Sequence, residues 1–231
     1  IPTWRVDLKR EVDLIEESGR LYGVDKIPST PPRGALGTNM FDTVYDQIGE
    51  ARRILTGLGL NEAQGQTLIS KTEVRGTSET EIVALANPLS SDMDVLRPSL
   101  LPGLIHSLRH NVSRKNDDVA LFEIGRVFTS VNGQAKENRN VAIAITGQRA
   151  LNFWSGAERD AKFDAYDLKG LVEEFIEQFG LRGVMFSKRA ESTALFLESA
   201  AVTLGGKLSL GELGQLLPTL AKKHDLRDAV F

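Results

Sequence analysis

The stretch SLLPGLIHSLRHNVSR, residues 99–114, is a helix-forming pattern that lies between strand-like segments, and this arrangement decides the fold class. Leu100, Leu104 and Leu108 recur at helical spacing. Three more apolar residues extend the same stripe: Leu101, Ile105 and Val112. Pro102 is compatible with a helix here only because it falls in the first turn. The pattern therefore predicts an amphipathic helix.

Short strand-like segments surround this helix. They are predicted at residues 64–70, 81–87, 119–130, 140–148, 183–189, 199–206 and 207–216. Two further amphipathic helices are predicted at residues 42–58 and 164–179. Because the strands are not separated by regular crossover helices, an antiparallel sheet is favoured over a doubly wound parallel sheet. The sequence thus predicts an α+β fold, an antiparallel β-sheet flanked by helices.

The composition excludes several classes of protein. The 231 residues carry 28 basic and 31 acidic side chains, a balance that does not favour a strongly electropositive nucleic-acid surface over the whole chain. No cysteine is present, which excludes disulfides and thiolate metal ligands. No apolar run approaches the roughly 20 residues that span a bilayer, so we expect a cytoplasmic protein without membrane contact. The chain begins at Ile1 and ends on apolar residues, so we expect a segment of a longer protein.

The N-terminal stretch WRVDLKREVDLIEESGR, residues 4–20, concentrates acidic side chains. A helix is predicted over residues 9–22, ending at Gly23, and it would carry Asp13, Glu16 and Glu17 at i, i+3 and i+4. Asp7 precedes this helix and could fold back beside them. Oxygen ligands of this kind suit Mg²⁺. Arg20, three residues after Glu17 and four after Glu16, makes a salt-bridged, solvated helix face the favoured interpretation of the spacing.

A Pro- and Gly-rich connector, KIPSTPPRGALG at residues 26–37, follows this helix and cannot continue it. It predicts a domain boundary near residue 30.

Two weaker patterns lie in the central helix. His106 and His110 have the spacing of two zinc ligands, although no third ligand is evident in the sequence. Arg109, Arg114 and Lys115 form the most basic stretch, which could contact phosphate. A polar or solvated helix face is the favoured interpretation of both patterns.

Several stretches, in the same order, resemble one family, the β subunit of bacterial phenylalanyl-tRNA synthetase. The most specific are PTWRVDLKREVDLIEESGRLYGVDKIP (2–28) and ANPLSSDMDVLRPSLLPGLIHSLRHN (86–111). The others are LTGLGLNEAQGQTLIS (55–70), ALFEIGRVF (120–128), YDLKGLVEEF (166–175) and GELGQLLP (211–218). Together they extend the resemblance over essentially the whole chain.

The resemblance implies two domains. Residues 1–30 would be the C-terminal part of a B5 module, which is similar to a winged helix, and residues 31–231 a class II synthetase-like, non-catalytic core. In that family the helix at 99–114 would correspond to an interface helix, so its apolar stripe would meet a partner.

The resemblance also implies a metal site. The family's Mg²⁺ site, shared with the α subunit, has a spacing that Asp7, Asp13, Glu16 and Glu17 match position by position. Glu11 would not take part in it.

The implied activity is that of a subunit without catalytic residues of its own. FEIGR reverses the Arg-x-Glu order of a class II catalytic strand, and GELGQLLP lacks the expected arginine. The family's α subunit performs the ATP-dependent charging of tRNA(Phe) with phenylalanine, within an (αβ)₂ heterotetramer. The alternative is a non-catalytic nucleic-acid-binding or assembly protein that is homodimeric through the 99–114 helix.

Overall fold

The computed structural model describes residues 1–31, 34, 42–150, 154–156 and 160–231. Two compact units divide the chain, Ile1–Asp42 and Thr43–Phe231. Part of the predicted connector, residues 32, 33 and 35–37, lies outside the described residues.

The first unit contains the predicted N-terminal helix. Helix α1 comprises Glu11–Tyr22 and is followed by a single 3₁₀ turn, Val24–Lys26. Gly23 ends the helix with a φ of 106° and donates its N–H to the carbonyl oxygen of Gly19 at 2.9 Å. The helix is confirmed, starting two residues later than predicted. Its apolar side chains are exposed, among them Leu14, Ile15, Leu21 and Tyr22.

The second unit holds the remaining helices and the strands. Its helices are α2 (Thr43–Gly57), α3 (Leu101–Val112), α4 (Ala165–Gln178) and α5 (Pro218–Lys223). Its first strands are β1 (Asn61–Glu62), β2 (Leu68–Ile69), β3 (Val83–Ala84), β4 (Val95–Leu96), β5 (Val119–Val131) and β6 (Gln134–Thr146). The last three are β7 (Val184–Lys188), β8 (Phe196–Leu204) and β9 (Leu208–Leu216). The predicted helices at 42–58, 99–114 and 164–179 are confirmed.

The strands form three three-stranded sheets, ordered β1-β5-β6, β2-β4-β3 and β7-β8-β9. Their pairings are antiparallel except for β1 with β5, which is parallel. The last residues join two of the sheets, since Phe231 and Ile145 exchange backbone hydrogen bonds at 2.9 and 3.0 Å, and Leu216 N–H donates to the Val230 oxygen at 2.8 Å. The α+β class with antiparallel sheets is therefore confirmed, with one parallel pair that was not predicted.

The longest hairpin joins β5 to β6 through Asn132 and Gly133. Both residues have positive φ values, 52° and 77°, the requirement of a type I′ turn. Strand β6 begins at Gln134, six residues before the predicted start at residue 140. Its first eight residues are all exposed, so no alternation of apolar and polar side chains indicated a strand there.

Helices pack on both faces of this hairpin. Leu121 lies in a cluster with Leu104 and Leu108 of α3, whereas its neighbour Phe122 lies in a cluster with Leu55 of α2 and Leu168 of α4. Successive strand residues point to opposite faces, so the two clusters form two layers of core. This arrangement agrees with the prediction that helices flank the sheet.

The packing of α3 corrects one expectation. The stripe implied to meet a partner subunit is packed against this chain's own sheet, with Leu104 and Leu108 both 0% exposed. The physical reason is that the polypeptide's own β5 and β6 already remove this apolar surface from water. A homodimer formed through the same stripe is therefore not favoured.

Candidate functional site

A guanidinium joins two of the four carboxylates predicted to bind metal. Arg5 Nη2 lies 2.7 Å from Asp7 Oδ2 and 2.8 Å from Glu17 Oε1. Arg20 also pairs with Glu17, at 2.7 Å, as the solvated-face interpretation predicts. These hydrogen bonds from arginines hold the pKa of Asp7 and of Glu17 below their usual values.

Asp13 has a different role, at the start of α1. Its Oδ2 accepts hydrogen bonds from the backbone N–H of Lys9 at 2.8 Å and of Arg10 at 2.7 Å. These two backbone donors lower the pKa of Asp13, because they stabilise its charged form. Glu16 is exposed on the same helix and takes part in no ion pair described for this unit. The four carboxylates therefore face three different environments.

The donor chemistry of this cluster suits Mg²⁺, which prefers carboxylate oxygens. The arrangement does not, because Arg5 stands between Asp7 and Glu17 while Asp13 is committed to backbone donors. Within the described ranges, no group of three or more His, Asp or Glu side chains is placed to hold a metal ion. In this arrangement Mg²⁺ would have to displace Arg5 from Asp7 and Glu17, so magnesium binding by the four residues stays a prediction.

A second charged pair lies in the core of the other unit, and sequence analysis did not predict it. Arg97 Nη1 lies 2.6 Å from Glu123 Oε1, and the two side chains are 6% and 3% exposed. Arg97 Nε also donates to the carbonyl oxygen of Arg126 at 2.9 Å. The second carboxylate oxygen of Glu123 is buried and has no described hydrogen-bond partner. The pair links the end of β4 to the middle of β5.

Three glycines leave room for this pair and close it from solvent. A Cβ placed on Gly65 would lie 3.1 Å from Glu123 Oε2 and 3.1 Å from the Cα of Gly103, so the two backbones meet directly above the carboxylate. A Cβ on Gly125 would overlap the Arg97 guanidinium. The pair therefore has a structural role, because it joins two strands and each charge compensates the other.

The two histidines of α3 do not form a zinc site. His106 Nε2 lies 3.3 Å from Glu73 Oε1, and its ring centroid is 5.6 Å from that of His224 on the segment following α5. His110 is exposed about one turn further along α3. No sequence pattern relates His224 to His106, because the two residues are far apart along the chain.

The basic stretch is the solvated end of α3. Arg109 Nε lies 3.5 Å from Asp225 Oδ2, and Arg114 Nη1 donates to the carbonyl oxygen of His110 at 3.1 Å. Lys115 has a φ of 67°, the left-handed conformation that often follows a helix end. In the described parts of the chain, no helix is long and apolar enough to cross a membrane.

Comparison with known families gives two matches that follow each other along the chain. Residues 27–231 match the "Phenylalanyl tRNA synthetase beta chain CLM domain", and residues 1–24 match the "tRNA synthetase B5 domain". Among solved structures, two of pyrrolysyl-tRNA synthetase from Desulfitobacterium hafniense share the fold, with TM-scores of 0.63 and 0.62. They are 16% and 17% identical, and each alignment covers 81% of this chain and 64% of the other.

Curated relatives carry one name, "Phenylalanine--tRNA ligase beta subunit". The protein from Oleidesulfovibrio alaskensis is 32% identical over 100% of this chain, and that from Bacillus licheniformis 35% over 99%. The Bacillus subtilis protein is 34% identical over 99%. The chain spans 29% of the length of each of these relatives. With a family match over residues 27–231 and this identity over nearly every residue, the chain belongs to the phenylalanyl-tRNA synthetase β-chain family.

Proposed function

We propose that this chain is a non-catalytic, architectural segment of a phenylalanine–tRNA ligase β subunit. In this proposal it supports a separate catalytic α subunit in the ATP-dependent charging of tRNA(Phe), within an (αβ)₂ heterotetramer in the cytoplasm. The observation that carries the proposal is the match of residues 27–231 to the β-chain CLM domain, together with relatives of that name along nearly the whole chain.

The proposal includes a division into two domains. Residues 1–30 are the C-terminal part of a B5 module, and residues 31–231 are the class II synthetase-like core. The B5 match at residues 1–24 and the fold similarity to a pyrrolysyl-tRNA synthetase support this assignment.

The arrangement of charged groups supports a non-catalytic role. Phosphoryl and adenylyl chemistry needs arginines aimed at the developing negative charge in an accessible site. Arg97 is buried and bonded to Glu123, and Arg126 is paired with Glu137 on the neighbouring strand at 3.3 Å. Both arginines of this strand region are thus held by carboxylates of the chain itself.

A binding experiment with the catalytic partner tests the proposal. The purified chain is mixed with the α subunit from the same organism, and the complex is measured by size-exclusion chromatography with light scattering. We expect a stoichiometric complex, and no ATP–pyrophosphate exchange by the chain alone with phenylalanine. Exchange by the chain alone, or a homodimer that binds nucleic acid and ignores the α subunit, would contradict the proposal.

The proposal also includes magnesium binding by four carboxylates, those of Asp7, Asp13, Glu16 and Glu17. This binding depends on the release of Arg5. Because Arg5 pairs with Asp7 and Glu17, a divalent cation has to compete with its guanidinium.

Mn²⁺ titration monitored by paramagnetic broadening of the α1 amide resonances tests this condition. We expect weak broadening in the parent chain and stronger, site-specific broadening in Arg5→Gln. The matched control is Lys26→Gln, since Lys26 is exposed and lies over the Tyr22 ring, 5.5 Å from its centroid, instead of pairing with a carboxylate of the cluster. Equal broadening in all three proteins would mean that Arg5 does not limit metal binding.

A further inference from the structure

A cavity of about 240 Å³ lies in the second unit, and the buried Arg97–Glu123 pair does not line it. Four parts of the chain form it: the 3₁₀ turn Lys71–Glu73 with the residues that follow, helix α3 with the residues before it, Leu195, and α5 with the residue after it. Six charged or titratable side chains line it, namely Glu73, Arg75, His106, Arg109, Lys223 and His224. The cavity belongs to no site considered so far.

Positively charged side chains outnumber carboxylates in the lining. Arg75, Arg109 and Lys223 carry positive charge at neutral pH, and Glu73 is the one carboxylate among the lining residues. Arg109 pairs with Asp225 at 3.5 Å, a carboxylate that does not line the cavity. Lys223 takes part in no ion pair among the described residues. An anion in the cavity would therefore meet three cations and only one opposing charge.

The two histidines report the same imbalance. Their ring centroids are 5.6 Å apart, and Glu73 Oε1 lies 3.3 Å from His106 Nε2. The pKa of His224 is lowered, first by burial and then by the positive charges of His106, Lys223 and Arg109, while Glu73 acts in the opposite sense. Burial and the neighbouring cations both oppose a positive charge on His224.

We propose that this cavity binds a small phosphate-like dianion. Its volume is below the roughly 300–1,000 Å³ of sites for drug-sized ligands, so it suits one compact charged group. A phosphate group accepts two parallel hydrogen bonds from a guanidinium, and Arg75 and Arg109 offer such donors from two different segments. The proposal does not depend on the proposed subunit function.

Histidine NMR tests the proposal, because the chain carries three histidines and one of them is a built-in control. His106 and His224 line the cavity, whereas His110 is exposed on the same helix as His106 and does not line it. Inorganic phosphate is titrated against the full chain at constant ionic strength, with chloride as the balancing anion. We expect saturable shifts of the His106 and His224 ring resonances and none for His110.

The pH dependence has a defined sign. A bound dianion stabilises the imidazolium form of His224. Sulfate is the probe for this test because its charge stays constant over this range, and its affinity should increase as pH falls from 7.5 to 6. Glu73 opposes binding throughout, since its carboxylate faces His106.

Two substitutions give opposite expected effects. Arg109→Gln removes a donor and should weaken phosphate binding about tenfold or more, the scale of a lost charged hydrogen bond. Glu73→Gln removes the opposing carboxylate and should strengthen binding. Lys222→Gln is the matched control, because Lys222 is exposed on α5 and does not line the cavity. A purely structural role for these side chains does not produce opposite changes in affinity.

The outcomes are decisive. Shifts that fail to saturate, equal shifts of all three histidines, or changes of the same direction in Arg109→Gln and Glu73→Gln would overturn the proposal. A second titration, with a 5′-phosphorylated trinucleotide RNA, identifies the source of the phosphate. If it produces the same saturable shifts, the site accepts nucleic-acid phosphate; if only inorganic phosphate does, the natural ligand is a small molecule. Either result supports a phosphate site.

Discussion

Replacement of one partner in the buried Arg97–Glu123 pair is expected to destabilise the second unit severely. The two side chains are 6% and 3% exposed and their charged atoms are 2.6 Å apart, so either partner left alone would be a buried, uncompensated charge. Removing one member of such a pair typically costs about 3–5 kcal/mol. Arg97→Met and Glu123→Met should each lose about that much free energy of unfolding.

Urea unfolding followed by circular dichroism measures this loss. With a slope of about 2 kcal/mol per molar urea, the expected loss lowers the unfolding midpoint by roughly 1.5–2.5 M. The Arg97→Met/Glu123→Met double variant should be more stable than either single variant, because no lone charge remains buried and methionines fill a similar volume. It will not recover fully, since the Arg126 carbonyl loses the donor on Arg97 Nε.

An exposed pair provides the control. Lys188 and Glu198 lie 3.5 Å apart with 73% and 68% of their side chains exposed, and their replacement should change stability by about 0–1 kcal/mol. The reasoning is refuted if the Arg97 and Glu123 single variants lose no more than this control, or if their effects simply add in the double variant. Either result would mean that water reaches the pair or that its members do not interact.

Other predictions concern packing, backbone space and pH. Gly125→Ala should lower the free energy of unfolding by about 1–3 kcal/mol, because its Cβ would overlap the Arg97 guanidinium. Gly49→Ala in α2, where the added Cβ meets open space, should raise it by about 0.5–1 kcal/mol. Urea unfolding midpoints compare the two variants. Leu108→Ala should cost about 2–5 kcal/mol by the same assay, since Leu108 is 0% exposed in the core. Because the pKa of Asp13 is lower in the folded chain, its charged form stabilises α1 at pH values above about 3.9, the pKa of Asp in the unfolded chain. This contribution is lost as pH falls through the folded-state pKa of Asp13. NMR titration of the α1 amides should show the loss, and an unchanged helix at low pH would contradict it.

Local pattern was enough to predict helices α1 to α4. The stripe on α3 predicted which residues are buried, with Leu104, Ile105 and Leu108 all in the core, and the first-turn position of Pro102 is confirmed. Periodicity reports which face is apolar, however, and not what covers it. The expectation that the stripe meets a partner came from the resemblance to the synthetase family, whereas in the structure the chain's own β5 and β6 cover it.

Features that depend on distant residues were beyond sequence reasoning. Arg97 and Glu123 are 26 residues apart, and no spacing rule connects an arginine at one strand end with a glutamate inside another strand. The parallel pairing of β1 with β5 likewise depends on tertiary packing. Helix α5, by contrast, carries local signals that were missed, with Pro218 at its start and lysines in its last turn. Its six residues are too few to show helical periodicity.

The acidic helix shows why spacing alone leaves open whether a carboxylate cluster binds metal. Converging carboxylates attract the nearest cation, and Arg5 is only two residues from Asp7, with Nε at 3.0 Å and Nη2 at 2.7 Å from the two carboxylate oxygens. The affinity of this cluster for Mg²⁺ is lower than the charges alone suggest, because Mg²⁺ gives up bound water reluctantly and must also displace the Arg5 guanidinium. We therefore expect a metal ion to occupy the cluster only when Arg5 is displaced from Asp7 and Glu17.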